Sequence, residues 1–436
     1  MWAYHLRMAW RATRRHRGLS ALIVCAIGIG VGVATTMFAI HHGMSSNPIP
    51  GKSDQLYAVQ LDSWDPHRPY REPDEPPTQL TYRDATALVR AHRATRQVAE
   101  FISALTLQPD NPDLKPYQVV SRNTFNDFFQ MFDVPFLYGS AWSASADSSA
   151  EQVVVLSRET NEKLFGGADS VGREITLAGR RFRVVGVLDH WAPAPKFYDL
   201  ENDHFGEPED VYIPFSLTEP MQLHSAGNNS CWGAGKTDTY QGYLNSECVW
   251  IQVWVELPTA TDREAYHAFL DDYVRGQKAL GRFPRPLNNH LRNVTQWLAY
   301  NKVVSNDSRA LVGLSFLFLA VCMLNAVGLL LARFLRQSGE VALRRALGAT
   351  RRVMFQQALI ESGLTGVAGG LLGLVLAWLG LAGIQYLLAG SEAFARLDPS
   401  VAGLAVLTAV MASVAAGLYP AWRTVRIAPA TYLKLK

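Results

Sequence analysis

ALVGLSFLFLAVCMLNAVGLLLA (Ala310–Ala332) runs directly into RFLRQSGEVALRRALGATRR (Arg333–Arg352). The first stretch carries no charge, and the second carries six Arg and one Glu. A helix needs roughly 20 apolar residues to cross the ~30 Å hydrocarbon layer of a bilayer, and Ala310–Ala332 is that long. A buried helix of a soluble protein would be interrupted by charged positions. An apolar run with a basic flank reads as a membrane span whose basic end stays on the cytoplasmic side.

Working outward, three further runs lack charge: Leu19–Ile40, Gly363–Gly390 and Val401–Tyr419. Each is long enough, or nearly so, to span. Leu19–Ile40 exceeds the 7–15 residues of a signal-peptide core and no A-x-A site closes it, so it reads as an uncleaved anchor. Arg7, Arg11, Arg14, Arg15 and Arg17 precede it, and Arg423, Arg426, Lys434 and Lys436 follow the last run. With the six Arg of the middle loop these outweigh two acids, Glu340 and Glu361, although the whole chain has a net charge of only +3. The rest is therefore acidic on balance. Four spans alternate sides correctly when both termini are cytoplasmic, and the charge asymmetry gives the same placement.

The expected fold class is an α-helical membrane protein with four transmembrane helices. A large α/β (α+β) extracytoplasmic domain of two lobes is inserted between the first and second. The expected boundaries are a basic amphipathic cytoplasmic helix at 1–18 and spans at 19–40, 310–332, 363–390 and 401–419. The external segment is 41–309, a cytoplasmic loop 333–362, an external hairpin 391–400 and a cytoplasmic tail 420–436.

Within the external segment, GAGKT (Gly233–Thr237) has the ending of a phosphate-binding loop. The full motif needs Gly five positions before Gly235, where Ser230 stands, and it needs a strand before it and a helix after it. The flanks are polar and aperiodic, so this is a surface loop. Cys231 and Cys248 are the extracytoplasmic cysteines, 17 residues apart on an oxidising side, and are a candidate disulfide pair. Cys25 and Cys322 lie in membrane runs. No metal-ligand spacing and no nucleophile–base motif occurs, so no catalytic, metal or cofactor-binding residues are assigned, and no enzyme activity or nucleic-acid partner is expected.

LYAVQLD (Leu56–Asp62), VAEFISALTL (Val98–Leu107) and VWIQVWVEL (Val249–Leu257) read as strands. YRDATALVRAHR (Tyr82–Arg93) and TDREAYHAFLDDYVRG (Thr261–Gly276) read as helices, with PHRPYREPDEPP (Pro66–Pro77) an exposed loop. A separate β-rich block contains QVVVLS, REITLAGRRFRVVGVL and DVYIPF, with a hairpin turn at Ala178–Gly179. The economical arrangement is a βαβ-type lobe, about 52–110 and 245–292, split by an inserted lobe, about 111–244. Leu291–Ala310 reads as a helical stalk, about 291–309, that continues into the second span.

In the cytoplasmic loop, Val341, Ala342, Ala346 and Leu347 share one helical face, Gly348 suits a helix end and Thr350 a new N-cap. A short surface helix, a break and an amphipathic helix entering the third span are expected. The four Arg beside the break suit either anionic lipid or an acidic groove on a cytoplasmic partner.

The pattern Asn325-AVGLLLARFLRQSGE-VALRRALGATRR resembles FtsX-like permeases, in particular the MacB-type branch of ABC transporters. FNDFFQMFDVPFLYGSAW, VVVLSRETNEKLFGG and VGREITLAGRRFRVVGVL resemble the MacB-type periplasmic core, and YPAWRTVRIAPATYLK resembles the family's closing segment. The resemblance implies that Glu340, Val341, Leu343, Arg344, Arg345, Leu347, Gly348, Arg351 and Arg352 form a coupling helix and exit turn that dock on an ATPase. It implies porter-like and sabre-like identities for the two lobes. With 18 residues before the first span, the ATPase is expected to be a separate cytoplasmic subunit. The family's usual REIG stands here as GEVA (Gly339–Ala342), which keeps the Glu and loses the Arg.

Asn325 lies well inside the second span and is expected to face another helix, because an unpaired amide in lipid is costly. Gly28-x-x-x-Gly32 and Gly366-x-x-x-Gly370 permit close helix approach. No intramembrane acid, His or Lys is present to couple an ion. Four helices make a poor channel, so a second, identical or homologous permease is an expected partner. A periplasmic adaptor, an outer-membrane channel and membrane lipid are further candidates. The leading reading is a bacterial inner-membrane permease that uses ATP hydrolysed by its partner to move its external lobes, exporting antibiotic, peptide or lipid-linked substrates. The alternative is a non-transporting regulator of a cell-wall hydrolase or stress-sensing complex.

Overall fold

The computed structural model describes residues 17–111, 114–233, 237–387 and 394–426. Most of the expected 1–18 helix, Lys236, the first residues of the 391–400 hairpin and the end of the tail lie outside the described residues. The chain divides into two units, residues 46–303 and the remainder.

The first helix, α1 (Arg17–Ser45), belongs to the membrane unit and leads by chain into the inserted unit. There the strands are β1 (Leu56–Gln60), β2 (Leu80–Thr81), β3 (Arg96–Gln108), β4 (Tyr117–Thr124), β5 (Phe136–Gly139) and β6 (Val153–Leu156). They continue as β7 (Glu174–Leu177), β8 (Arg180–Leu188), β9 (Val211–Pro214), β10 (Val249–Glu256) and β11 (His290–Asn293). The sheet order is β11-β1-β10-β3-β4-β9-β6-β8-β5, with β2 on β10 and β7 against β3 and β8. Helices α2 (Tyr82–Arg90) and α3 (Ala260–Ala279) follow β2 and β10, each started by a threonine N-cap, Thr81 and Thr259. The β7–β8 hairpin turns at Ala178 (φ 48°) and Gly179 (φ 76°), the two positive values that a tight hairpin turn requires.

The two expected lobes are joined through a shared strand, β3. Its first half, Arg96–Glu100, pairs with β10, and its second half, Phe101–Leu107, pairs with β4. Residues Gln97–Phe101 are buried on both faces, whereas from Ile102 onward burial alternates with partial or full exposure. One 13-residue strand therefore belongs to a doubly covered sheet and then to a singly covered one. Both hydrophobic cores cross the expected boundary: one runs from Tyr57 through Phe182 to Val274, the other from Leu56 through Phe128 to Trp254.

The stalk also differs from expectation. His290–Asn293 adds to the sheet edge as β11, paired with β1. Asn293 then caps a short helix, α4 (Val294–Tyr300), in a reciprocal capping box with Gln296. Asn301 ends that helix, Lys302 takes a left-handed φ of 51°, and Ser305 caps the next helix. A single rod from 291 to 309 is replaced by strand, helix and break.

The remaining helices are α5 (Asn306–Arg336), α6 (Ser338–Ala346), α7 (Arg351–Leu387) and α8 (Pro399–Arg426). Among the described residues, α1, α5, α7 and α8 are long and apolar enough to cross a membrane. At ~1.5 Å per residue, the 37 residues of α7 exceed the ~30 Å hydrocarbon layer, so the helix projects beyond it. α1 packs against α5 and α7, and α8 packs against α7 and α5. Their shared core is Ile23, Ile27 and Val31 with Leu319, Ala326, Leu330, Ala409 and Ala416.

Candidate functional site

The loop between the second and third spans is a helix held by its neighbours. Gln337 is at once the C-cap of α5 and the N-cap of α6. α6 ends at Leu347, and Gly348 adopts φ 101°, a left-handed conformation that glycine takes without strain. Thr350 then accepts from the Val353 amide at 3.4 Å as α7 begins. Val341 and Ala342 turn inward. Ala346 and Leu347, expected on the same face, point out instead, and Leu343 (53% exposed) joins Leu347 (81% exposed) one turn away.

The arginines divide correspondingly. Arg344 is partly buried and donates to Gln357 Oε1 of α7 at 3.2 Å. Arg345 donates to the Val425 carbonyl of α8 at 3.1 Å. Arg351 and Arg352, with Gly348 and Glu340, remain exposed. The expected basic knob is therefore an apolar tip, Leu343, Ala346 and Leu347, with Arg351 and Arg352 beside it, and Arg344 and Arg345 serve as struts.

Beneath the loop, Arg333 of α5 and Glu361 of α7 form an ion pair at 0% and 3% side-chain exposure. Sequence reasoning counted both residues as loop charges. The available signal was one charge of each sign, each within a turn of an apolar run.

Close helix approach occurs at all four flagged glycines. A Cβ on Gly28 would lie 2.8 Å from Leu372, and one on Gly32 would lie 2.9 Å from Leu376. One on Gly366 would meet Ser413 at 2.7 Å, and one on Gly370 would meet Ala409 at 3.0 Å. Two unflagged glycines are equally tight, Gly369 against Ile27 (2.6 Å) and Gly373 against Val31 (2.8 Å). So α7 presents one glycine face to α1 and another to α8. Asn325 requires correction. It is exposed on the surface of α5, away from the buried Cys322 and Ala326, and does not face a helix of its own chain.

In the inserted unit a disulfide joins Cys231 to Cys248. Nearby strands carry a buried charge network that sequence reasoning missed. Arg122 of β4, wholly buried, donates to Asp199 at 2.6 Å and to Glu209, and lies 5.1 Å over the Tyr198 ring. Lys196 reaches Glu209 at 2.7 Å, and Gln252 of β10 donates to Asp199 at 2.8 Å. Burial alone would raise the Glu209 carboxyl, but Arg122 and Lys196 reverse this and hold it at about 2. Glu100 of β3 is 3.9 Å from Arg122; burial pushes it well above the usual carboxylate range against that pull, and Asp199 and Glu209 push the same way. Among the described residues no three His, Cys, Asp or Glu side chains converge to hold a metal.

Residues 20–272 match the family described as MacB-like periplasmic core domain, and residues 312–429 match FtsX-like permease C-terminal. The chain is 25% identical over 379 residues to the macrolide export ATP-binding/permease protein MacB of Azoarcus sp. (strain BH72), covering 85% of this chain and 50% of that protein. It is 24% identical over 436 residues to the pyoverdine export ATP-binding/permease protein PvdT of Pseudomonas aeruginosa PAO1, covering 98% of this chain and 58% of that one. The chain thus spans between half and three-fifths of the length of these relatives. Among solved structures, the periplasmic region of MacB from Actinobacillus actinomycetemcomitans aligns with a TM-score of 0.36 and 14% identity, covering 59% of this chain and 96% of that one.

Proposed function

The chain belongs to the family of permeases that combine a MacB-like periplasmic core domain with an FtsX-like C-terminal domain, and from that premise we propose that it is the membrane subunit of an ABC exporter driven by an ABC ATPase docked on α6. It is a membrane protein with an extracytoplasmic domain. The basic loop and termini support an orientation with α6 and both ends in the cytoplasm of a bacterial inner membrane.

The observation that carries this reading is the apolar tip. Leu343 and Leu347 are held out from a helix whose arginines are turned inward, and burying a leucine on a partner contributes about 1.5–3 kcal/mol. Arg351 and Arg352 suit an acidic rim around that pocket. Movement of α6 reaches α7 through Arg344 and α8 through Arg345, and α7 interlocks with α1 at Gly369 and Gly373. Both α1 and α5 connect by chain to the extracytoplasmic domain, so ATP-driven motion is delivered there. The export role in the names of the relatives extends, in this proposal, to antibiotic, peptide or lipid-linked substrates.

A second permease copy fits the same scheme. Leu314, Phe318, Val321, Asn325, Gly328, Ala332 and Leu335 recur on α5 at alternating spacings of four and three, all exposed. A polar side chain within such a seam favours a protein partner over lipid.

Copurification of the full chain with its candidate ABC ATPase tests the docking. Leu347→Asp is expected to weaken retention about 10- to 100-fold, the equivalent of one buried leucine. A wild-type chain that retains no ATPase, or a variant that retains it undiminished, overturns the proposal.

A further inference from the structure

Glu361 sits where the second span, the loop helix and the third span meet. Its carboxylate receives Arg333 from the last turn of α5, one turn before Gln337, the residue at which α5 stops and α6 starts. One turn back on the same face of α7, Gln357 receives Arg344 from α6. The Arg333 and Glu361 side chains are almost wholly buried, so water does not screen the pair. α5 and α6 are not one continuous helix, because Gln337 stands between them in a turn. The angle at that turn is consequently set by what grips the chain on either side of it, and Glu361 is the charged group that holds the α5 side.

We propose that Glu361 is a positioning residue: it fixes the attitude of α6 against α7, so that displacement of α6 is passed to the third span instead of being absorbed at Gln337. This rests on the reading of α6 as the coupling helix for its role in transport, but the geometry it asserts belongs to the chain alone. Three features fit a single latch. The grips on either side of Gln337, at Arg333 and at Arg344, engage α7 side chains four residues apart. The Arg345 contact to Val425 holds the far end of α6 against α8, which leaves α6 pinned along its length. The exposed tip residues Leu343 and Leu347 point away from all three contacts, so a partner can load the tip without displacing the latch. A buried carboxylate facing a buried guanidinium also discriminates strongly between kept and lost alignment, because either charge left alone in a dry site is costly.

The test uses the full chain in lipid nanodiscs, its two membrane cysteines replaced by serine, with a nitroxide on a cysteine at Leu347 or, as control, at Leu371 on the exposed side of α7. Glu361→Gln is expected to add a mobile component to the spectrum at Leu347 and to leave that at Leu371 unchanged. The charge swap Arg333→Glu/Glu361→Arg is expected to restore the single immobilised spectrum at Leu347. An unchanged Leu347 spectrum in Glu361→Gln overturns the proposal, as does equal loosening at both sites, which marks a merely structural role. Should Glu361→Gln fail to assemble, the swap decides: native-like immobilisation at Leu347 supports the latch, and a mobile label refutes it. No ATPase is present in this measurement, so its failure is distinct from failure of the docking proposal.

Discussion

Replacing Arg122 with methionine removes the cation at the centre of the buried network and keeps most of the side-chain volume. Glu209 titrates at about 2, against an ordinary value of 4.5. At 1.36 kcal/mol per unit, that depression corresponds to about 3 kcal/mol of stability. Asp199 loses its guanidinium partner as well, and Lys196 alone cannot neutralise two buried carboxylates. Removing one member of a buried pair costs about 3–5 kcal/mol, so the variant should lose that amount at pH 7, a large share of the 5–15 kcal/mol typical of a domain. The sign of the pH dependence follows. In the native chain, the Glu209 contribution is present above the unfolded value of 4.5 and is lost as pH falls towards 2. In Arg122→Met burial dominates and raises the same carboxyl, so acid relieves the variant as pH falls towards 4.5, and below 4.5 the wild type loses its own Glu209 contribution; the difference narrows across both ranges. Urea titration of the full chain in nanodiscs, followed by tryptophan fluorescence, reads both effects, since Trp250 and Trp254 lie in the two cores concerned. A deficit under about 1 kcal/mol, or one that does not change with pH, would refute the assignment of Arg122 as the compensating charge.

Glu100→Gln acts in the opposite direction. Because folding raises the Glu100 carboxyl well above its ordinary 4.5, wild-type stability falls as pH rises through 4.5; the variant lacks this loss and should gain on wild type as pH is raised from 4 to 7, in the same titration. Replacing Cys231 and Cys248 by serine opens a loop of 17 residues and should cost the extracytoplasmic domain about 3 kcal/mol, seen as a lower urea midpoint under non-reducing conditions. Gly373→Ala places a methyl group 2.8 Å from Val31 and should cost about 1–3 kcal/mol in detergent unfolding, whereas Gly383→Ala, with nothing within 4 Å, should be nearly neutral.

The legibility of the site varied residue by residue. The break at Gly348 and the cap at Thr350 could be read directly, because a left-handed C-terminus and a side-chain N-cap are properties of a few neighbouring residues. The orientation of α6 could not. Its sequence is nearly as compatible with an arginine-presenting face as with a leucine-presenting one, and Gln357 and Val425 on other helices select between them. Asn325 misled for a related reason. A polar residue in a span signals a partner helix, but a single chain does not say that the partner is its own. The stalk failed at His290–Asn293, where pairing with β1 outweighed a helical pattern that had no local objection.

Four spans, a large insertion after the first and the basic bias of the loop and ends were determined by the sequence alone. Crossing a bilayer is a one-dimensional requirement of length, hydropathy and flanking charge, and each is counted along the chain. Only the tertiary structure decided that β3 bridges both sheets, that leucines and not arginines tip α6, and that Arg333 meets Glu361 and Arg122 meets Asp199 and Glu209. Those partners are 28, 77 and 87 residues apart. A charge reveals its sign in the sequence, but whether it is solvated, paired or neutralised depends on which distant group folding brings within hydrogen-bond reach.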